Sequence, residues 1–238
     1  GDCYYSNKEF ETAARFYSEV INDSDESEDY ARFQRADCYG SLNRASDEIA
    51  ALQELIMKAP ESSYIPEALY ALGRAHIETN QLENARAALE QLRKDFPNSP
   101  RNKYALVDLC LVAVKQGKTT DVLMFWDEVR EQYGQDPIAG DAFNVVEPIL
   151  IDQGLLDNLP SGVGLDGNEI EERFFNAARN LALERNCEKA VIRLSEYIQN
   201  YAEGSFLAEA HFFLGNCAYD QNNLAEARLA FEYVLRQP

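Results

Sequence analysis

Gly162-Val163-Gly164-Leu165-Asp166-Gly167 matches GxGxxG letter for letter, the spacing with which a strand–turn–helix unit cradles a pyrophosphate. That chemistry needs a strand in front and a helix N-terminus free of negative charge behind. Here LLDNLPS precedes, and the following helix opens NEIEER, with Glu169, Glu171 and Glu172 where a phosphate would sit. The glycines therefore read as a loop. Asp23, Asp25, Ser27 and Asp29 alternate as calcium ligands do, but no Gly stands at the sixth position and no Glu closes the loop. They read as an acidic joint at a helix start. His76 and His211 are the available near-neutral bases, and neither has a Ser, Cys or carboxylate at a triad spacing. Both read as structural. Carboxylates abound, but nothing singles out a catalytic pair. Five cysteines leave at least one unpaired within the chain. Cys3, Cys38 and Cys217 each follow a small residue (Gly1, Ala36, Gly215) by two and read as small buried residues in helix contacts. No CxxC pair occurs, so neither zinc nor redox chemistry is supported, and the cysteines do not decide the compartment. No catalytic residue, metal or cofactor is expected.

The elements behind these residues repeat. Tyr64–Pro97 reads as two amphipathic helices: Leu69, Leu72, Gly73, His76 and Ile77 share a face of the first, and Leu82, Ala85, Leu89 and Leu92 a face of the second. The unit returns at Phe206–Pro238, where Leu72-Gly73 matches Leu214-Gly215, Asn80 matches Asn222, Leu82 matches Leu224 and Ala85-Arg86 matches Ala227-Arg228. A helical hairpin with one apolar side cannot bury it alone, so repetition implies stacking. Small anchors fall at Gly1, Ala36, Gly73, Cys110, Ala178 and Gly215, at intervals of 35, 37, 37, 68 and 37 residues. The long interval is two units, one of them degenerate. Sixteen residues after each anchor stand Tyr17, Leu52, Leu89, Trp126, Leu194 and Phe231.

The pattern predicts helices over 9–21, 28–41, 44–58, 64–79, 82–95, 100–116, 119–133, 138–152, 169–185, 187–201, 205–221 and 224–236. Ser63, Ser99 and Ser205 are candidate caps, and Pro66 and Pro100 fit first turns. Asn80, Gly117 and Asn222-Asn223 mark turns where a left-handed residue ends a first helix. Pro148 is expected to kink the helix it stands in. Residues 154–168 are expected to be irregular, with 1–153 holding four units and the first helix of the fifth, and 169–238 holding two more. An unbroken array with a surface loop is the reading adopted, a hinge its alternative.

Net charge is −19, from 41 acidic and 22 basic residues, which argues against nucleic acid or an anionic membrane as partner. No apolar run approaches the ~20 residues of a membrane helix, so direct membrane insertion is not expected. There is no initiator Met and both ends cut into repeats, so a fragment of a longer protein is expected, and self-association through truncated end repeats stays open.

Anchors, sixteen-residue partners and closing Pro60 and Pro97 resemble the tetratricopeptide repeat over nearly the whole chain. Glu48 departs from it, standing where Ala is usual, as does His76, where Tyr is usual. The joints FPNSP and APESSYIPEALYALG look like those of bacterial cell-envelope members, such as outer-membrane assembly lipoproteins and the Tol–Pal-associated periplasmic protein. The resemblance implies an all-α, right-handed solenoid of about six to seven hairpins. It also implies a non-catalytic scaffold that binds a protein or peptide segment on its concave face, in the bacterial envelope facing the periplasm. Cytoplasmic placement, a targeting arm of a larger enzyme or regulator, and a self-associating spacer are alternatives. First helices line that face, and the recurrent inward positions hold Phe33, Tyr70, Phe175 and Phe212, with Tyr5, Ile77, Tyr219, Arg74 and Arg179 beside them. Aromatic anchors can supply most of the energy of a peptide interface, although rings packed between units are the competing reading. Members that hold acidic chaperone tails use Lys, Asn and Arg at these positions, so such a clamp is not expected.

Overall fold

The computed structural model describes residues 1–23, 28–153, 155 and 159–236, the side chain of Asp23 excepted. Among them run α1 (Asp2–Ser6), α2 (Phe10–Asp23), α3 (Glu28–Ser41), α4 (Ala45–Lys58), α5 (Ile65–Glu78), α6 (Leu82–Asp95), α7 (Asn102–Lys115), α8 (Thr119–Tyr133), α9 (Ile138–Gln153), α10 (Gly167–Leu183), α11 (Cys187–Asn200), α12 (Leu207–Asp220) and α13 (Leu224–Leu235). A single 3-10 turn, Ser161–Val163, precedes α10, and no strand occurs among the described residues. The chain falls into two compact units, Gly1–Val146 and Glu147–Pro238, divided within α9 ahead of the 154–168 stretch. In the first, α1 to α8 pack each on the next; in the second, α10 to α13 do the same.

Each pair closes in the same way. The second residue beyond the first helix is left-handed at Lys8, Asn43, Asn80, Gly117, Arg185 and Asn222. The N–H of the next residue then reaches back to a carbonyl of the last turn, as from Gln81 to His76 (2.8 Å), Lys118 to Ala113 (3.0 Å), Asn186 to Leu181 (2.9 Å) and Asn223 to Ala218 (2.8 Å). This Schellman closure satisfies carbonyls the helix would leave free. Asn and Gly adopt it readily; Lys8 and Arg185 do so against a steric cost.

The anchor row is small because the residue sixteen on lies against it. A methyl group built on Gly73 would come within 2.6 Å of Leu89, and one on Gly215 within 2.6 Å of Phe231. Ala36, Cys110 and Ala178 are fully buried against the corresponding row, in which Leu52, Leu194 and Trp126 are also buried.

Several local expectations are corrected. The N-cap positions are Tyr64, Arg101 and Phe206, none with a side-chain cap bond, so Ser63, Ser99 and Ser205 are not the caps. The hydroxyls of Ser62 and Ser99 instead accept from the N–H groups of Tyr64 and Arg101, both at 3.2 Å. Pro66 stands in the first turn of α5, whereas Pro100 lies in the turn before α7. That joint is held by Asn102, whose buried side-chain amide donates to the carbonyls of Phe96 and Pro97, both at 2.9 Å. As expected, α9 contains Pro148 within its span, and it ends at Gln153, one residue later than the sequence implied. Of the cysteines, Cys38 is buried and free, Cys3 is exposed, and Cys217, buried as expected, is joined to Cys187 in a disulfide. Sequence spacing had not suggested that pair, because a helix start and the last turn of the next helix meet only when the repeats stack.

Candidate functional site

In the first compact unit the inward positions of α3 and α5 open onto a cleft of about 270 Å³. It brings together Phe33, Tyr70 and Arg74 of the expected set with Asp37, Glu48, Glu67, Ala71, Ala75, Glu78 and Arg101. Helical spacing puts Phe33 and Asp37, and Tyr70, Arg74 and Glu78, in line on one face of their helices. Phe33 stacks on Tyr64 (5.4 Å, 16° between planes), and Tyr70 tilts against Tyr104 at 6.3 Å. The Arg101 guanidinium sits 5.5 Å from the Tyr70 ring centroid. Tyr5 reaches the margin through its hydroxyl, which donates to Asp37; Ile77 is half-buried and does not line the cleft.

The charges of the cleft are unevenly satisfied. Glu67 lies 3.9 Å from Arg101, Asp37 accepts from Tyr5, and Arg74 is held charged first by a hydrogen bond with Tyr70 and then by Asp108 and Glu78. Glu48 and Glu78 take no hydrogen bond or ion pair among the described residues. Burial pushes the Glu48 carboxyl up to about 7, the negative charges of Glu78 and Asp37 adding to it and Arg74 opposing it. Burial likewise raises Asp108, against the pull of Arg74. Gly40 leaves the room Glu48 occupies, since a methyl there would lie 2.9 Å from the carboxyl. The sequence had marked Glu48 as a departure from the repeat, while Glu78 and Arg101 carried no signal until the helices were stacked.

The second unit presents its share differently. Phe175 is 2 % exposed and stacks on Phe206 at 4.7 Å, so its ring fills the joint between repeats instead of facing solvent. The Arg179 guanidinium lies 5.9 Å above the same ring. Phe212 and Tyr219 stand on α12, 46 % and 64 % exposed. A groove of about 460 Å³ lies between α9 and α10, floored by Pro148, Ile151, Ala177 and Leu181. Most of the charges along it are paired: Arg173 with Glu147 (2.7 Å), Asp152 with Lys189 just outside it (2.6 Å) and Arg193 with the Asp152 carbonyl.

The other motifs resolve as structure. Gly164 is left-handed after the 3-10 turn and Gly167 begins α10, earlier than expected. The Asp166 carboxylate accepts from the Glu169 N–H (2.8 Å), and Glu169 accepts in return from the Asp166 N–H (2.9 Å). This capping box places two carboxylates where a phosphate would bind. His76 is buried and His211 stacks on Tyr233 at 3.9 Å; burial lowers the pKa of both, favouring the neutral form. The acidic stretch read for calcium falls largely outside the described residues; Asp29 accepts from Ser62 (2.7 Å), and no three metal-ligating side chains converge among the described residues.

Residues 67–99 match one family model of the tetratricopeptide repeat, and residues 175–238 match another. Over those residues the chain carries tetratricopeptide repeats. No curated protein matches it in sequence. Solved tetratricopeptide structures share its fold. The C-terminal part of a repeat-containing protein from Cytophaga hutchinsonii is 15% identical with a TM-score of 0.55, covering 98% of this chain and 92% of that one. A tetratricopeptide repeat protein from Parabacteroides merdae is 11% identical with a TM-score of 0.58, covering 97% and 88%. YrrB, described as having an unusual peptide-binding site, is 19% identical with a TM-score of 0.52, covering 79% and 94%. At such identities the likeness is one of fold. The Tyr70 side of the cleft thus lies on the first helix of a matched tetratricopeptide repeat, and Phe33 on the first helix of the hairpin stacked before it.

Proposed function

We propose that the chain is a non-catalytic scaffold that holds a peptide or protein segment along the first-helix face, with Phe33, Tyr70 and Arg74 at the contact. The observation that carries this reading is the open cleft at those residues, where half-buried rings lie beside charged groups. Half-buried aromatics beside charge are what interface anchors are made of. Phe212 and Tyr219 offer a second patch of the same kind on α12. The test is retention from cell extracts by the immobilised chain and by a Phe33→Ala, Tyr70→Ala variant of unchanged helicity. A protein kept by the first and lost by the second supports the reading; equal retention moves binding elsewhere.

A periplasm-facing place in a bacterial envelope is the compartment we propose. The Cys187–Cys217 disulfide supports it, because such bonds persist in oxidising compartments and are rare in the cytosol. Alkylation under denaturing conditions without reductant, followed by mass measurement on protein recovered from cells, should label Cys3, Cys38 and Cys110 alone. Labelling of Cys187 and Cys217 without reductant would contradict it.

A further inference from the structure

The cleft on α3, α4 and α5 sets two rings among charged groups, four carboxylates against two guanidinium groups, so its charges do not cancel. Glu67 and Asp37 have partners within the chain, and Arg74 is engaged by Tyr70 and Asp108. Glu48 and Glu78 make no hydrogen bond and share the single Arg74 charge with Asp108, beside Phe33 and Tyr70 in the same cleft, Glu48 half-buried and Glu78 exposed. A partly desolvated carboxylate is stabilised by an ion of opposite charge, and the methylene stem of a long basic side chain packs on aromatic rings while its head stays polar. Most of the chain's surface charge is also of the sign that draws a cation, at −19 net.

We propose that this cleft receives a lysine or arginine side chain of the bound segment, its charged head between Glu48 and Glu78 and its stem against Phe33 and Tyr70. This rests on the reading of the first-helix face as the binding surface. The groups facing Glu48 are Asp37 from α3 and Arg74 and Glu78 from α5. Glu48 titrates at about 7, so it gains its charge between slightly acid and slightly alkaline solution, and retention of a basic segment rises over that range.

The test uses immobilised whole chain and mixtures of about twelve-residue peptides with randomised flanks, the central residue fixed as Lys, Arg, norleucine or Glu. One charge-assisted contact in a partly desolvated site corresponds to roughly tenfold in affinity. The expected result is about tenfold stronger retention of Lys- and Arg-centred mixtures than of norleucine-centred ones. That preference should be lost in Glu48→Gln, Glu78→Gln, and weaken from about pH 8 to about pH 6 in the parent but not in Glu48→Gln. Glu131→Gln, Glu188→Gln removes the same charge from exposed sites elsewhere; an equal loss there would show general attraction and overturn the proposal. Retention that Tyr70→Ala abolishes but that ignores the central charge would overturn the cation site and leave the binding face standing. Retention of no mixture, or indifference to Tyr70→Ala, would overturn both.

Discussion

Glu48 in the first compact unit and Glu171 in the second are both carboxylates drawn into helix packing, and they are treated in opposite ways. Glu171, 8 % exposed, accepts from the Tyr197 hydroxyl and the Ser205 N–H, both at 2.6 Å, while the Phe206 N–H donates to the Tyr197 oxygen at 3.1 Å. Its charge is spent on pinning the joint that starts α12. Glu48 accepts nothing, and burial with two like charges drives it toward neutrality. The two hollows described above differ in the same sense. Arg173 and Glu147 of the 460 Å³ groove form an ion pair, whereas Glu48 and Glu78 of the 270 Å³ cleft form none and share the Arg74 charge. A buried charge with a full set of donors is a structural device; one without them weakens the fold unless something outside the chain supplies the counterion.

Perturbing each side of this contrast should give distinct results. Reduction of Cys187–Cys217, which joins the start of α11 to the last turn of α12 at the end of that pair away from Glu171, should cost about 3 kcal/mol for a bridge of this span, read as a lowered urea midpoint with reductant present. No change on reduction would mean that packing alone holds α11 against α12. Glu171→Ala leaves the Tyr197 hydroxyl and the Ser205 N–H without their acceptor and should cost about 2–3 kcal/mol in the same assay. Glu48→Gln should go the other way. The folded-state value of about 7 stands above the ordinary 4.5, so the folded chain holds the proton more tightly. Stability from this group is therefore present at low pH and falls as pH rises through that window. Parent and variant should unfold alike near pH 5, and the variant should be the more stable by about 1 kcal/mol near pH 8, after allowance for solvent screening. The smallest effect is expected at the turns: Arg185→Gly relieves a left-handed arginine and should raise stability by about 0.5–1 kcal/mol, while Asn80→Ala lowers it.

Much of the fold was legible because each repeat states its own geometry. The glycine and alanine anchors and their sixteen-residue partners gave the helix pairs, and Asn80, Gly117 and Asn222 gave the turns. The first helix, Asp2–Ser6, was implied only by its anchor. Left-handed Lys8 and Arg185 were illegible as turn residues, since their side chains favour helix interiors and stacking overrides that preference. Of the inward aromatic row, Phe33 and Tyr70 open on a cleft, but Phe175 does not, because Phe206 from the next joint covers it. Periodicity assigns a residue to a face of its own helix; whether the neighbouring joint closes over that face depends on contacts some thirty residues away. Glu78, Arg101 and the Cys187–Cys217 pair were hidden for the same reason.

The central claim is that the first-helix cleft is where a partner docks, and site-specific photo-crosslinking tests it most directly. A benzophenone amino acid would replace Tyr70 in the cleft or, as the control, Met57, which is 69 % exposed on the second helix α4. The account predicts a discrete cross-linked product from position 70 and none from position 57, competed by peptides with a central lysine or arginine. Cross-linking from position 57 with none from position 70 would contradict it.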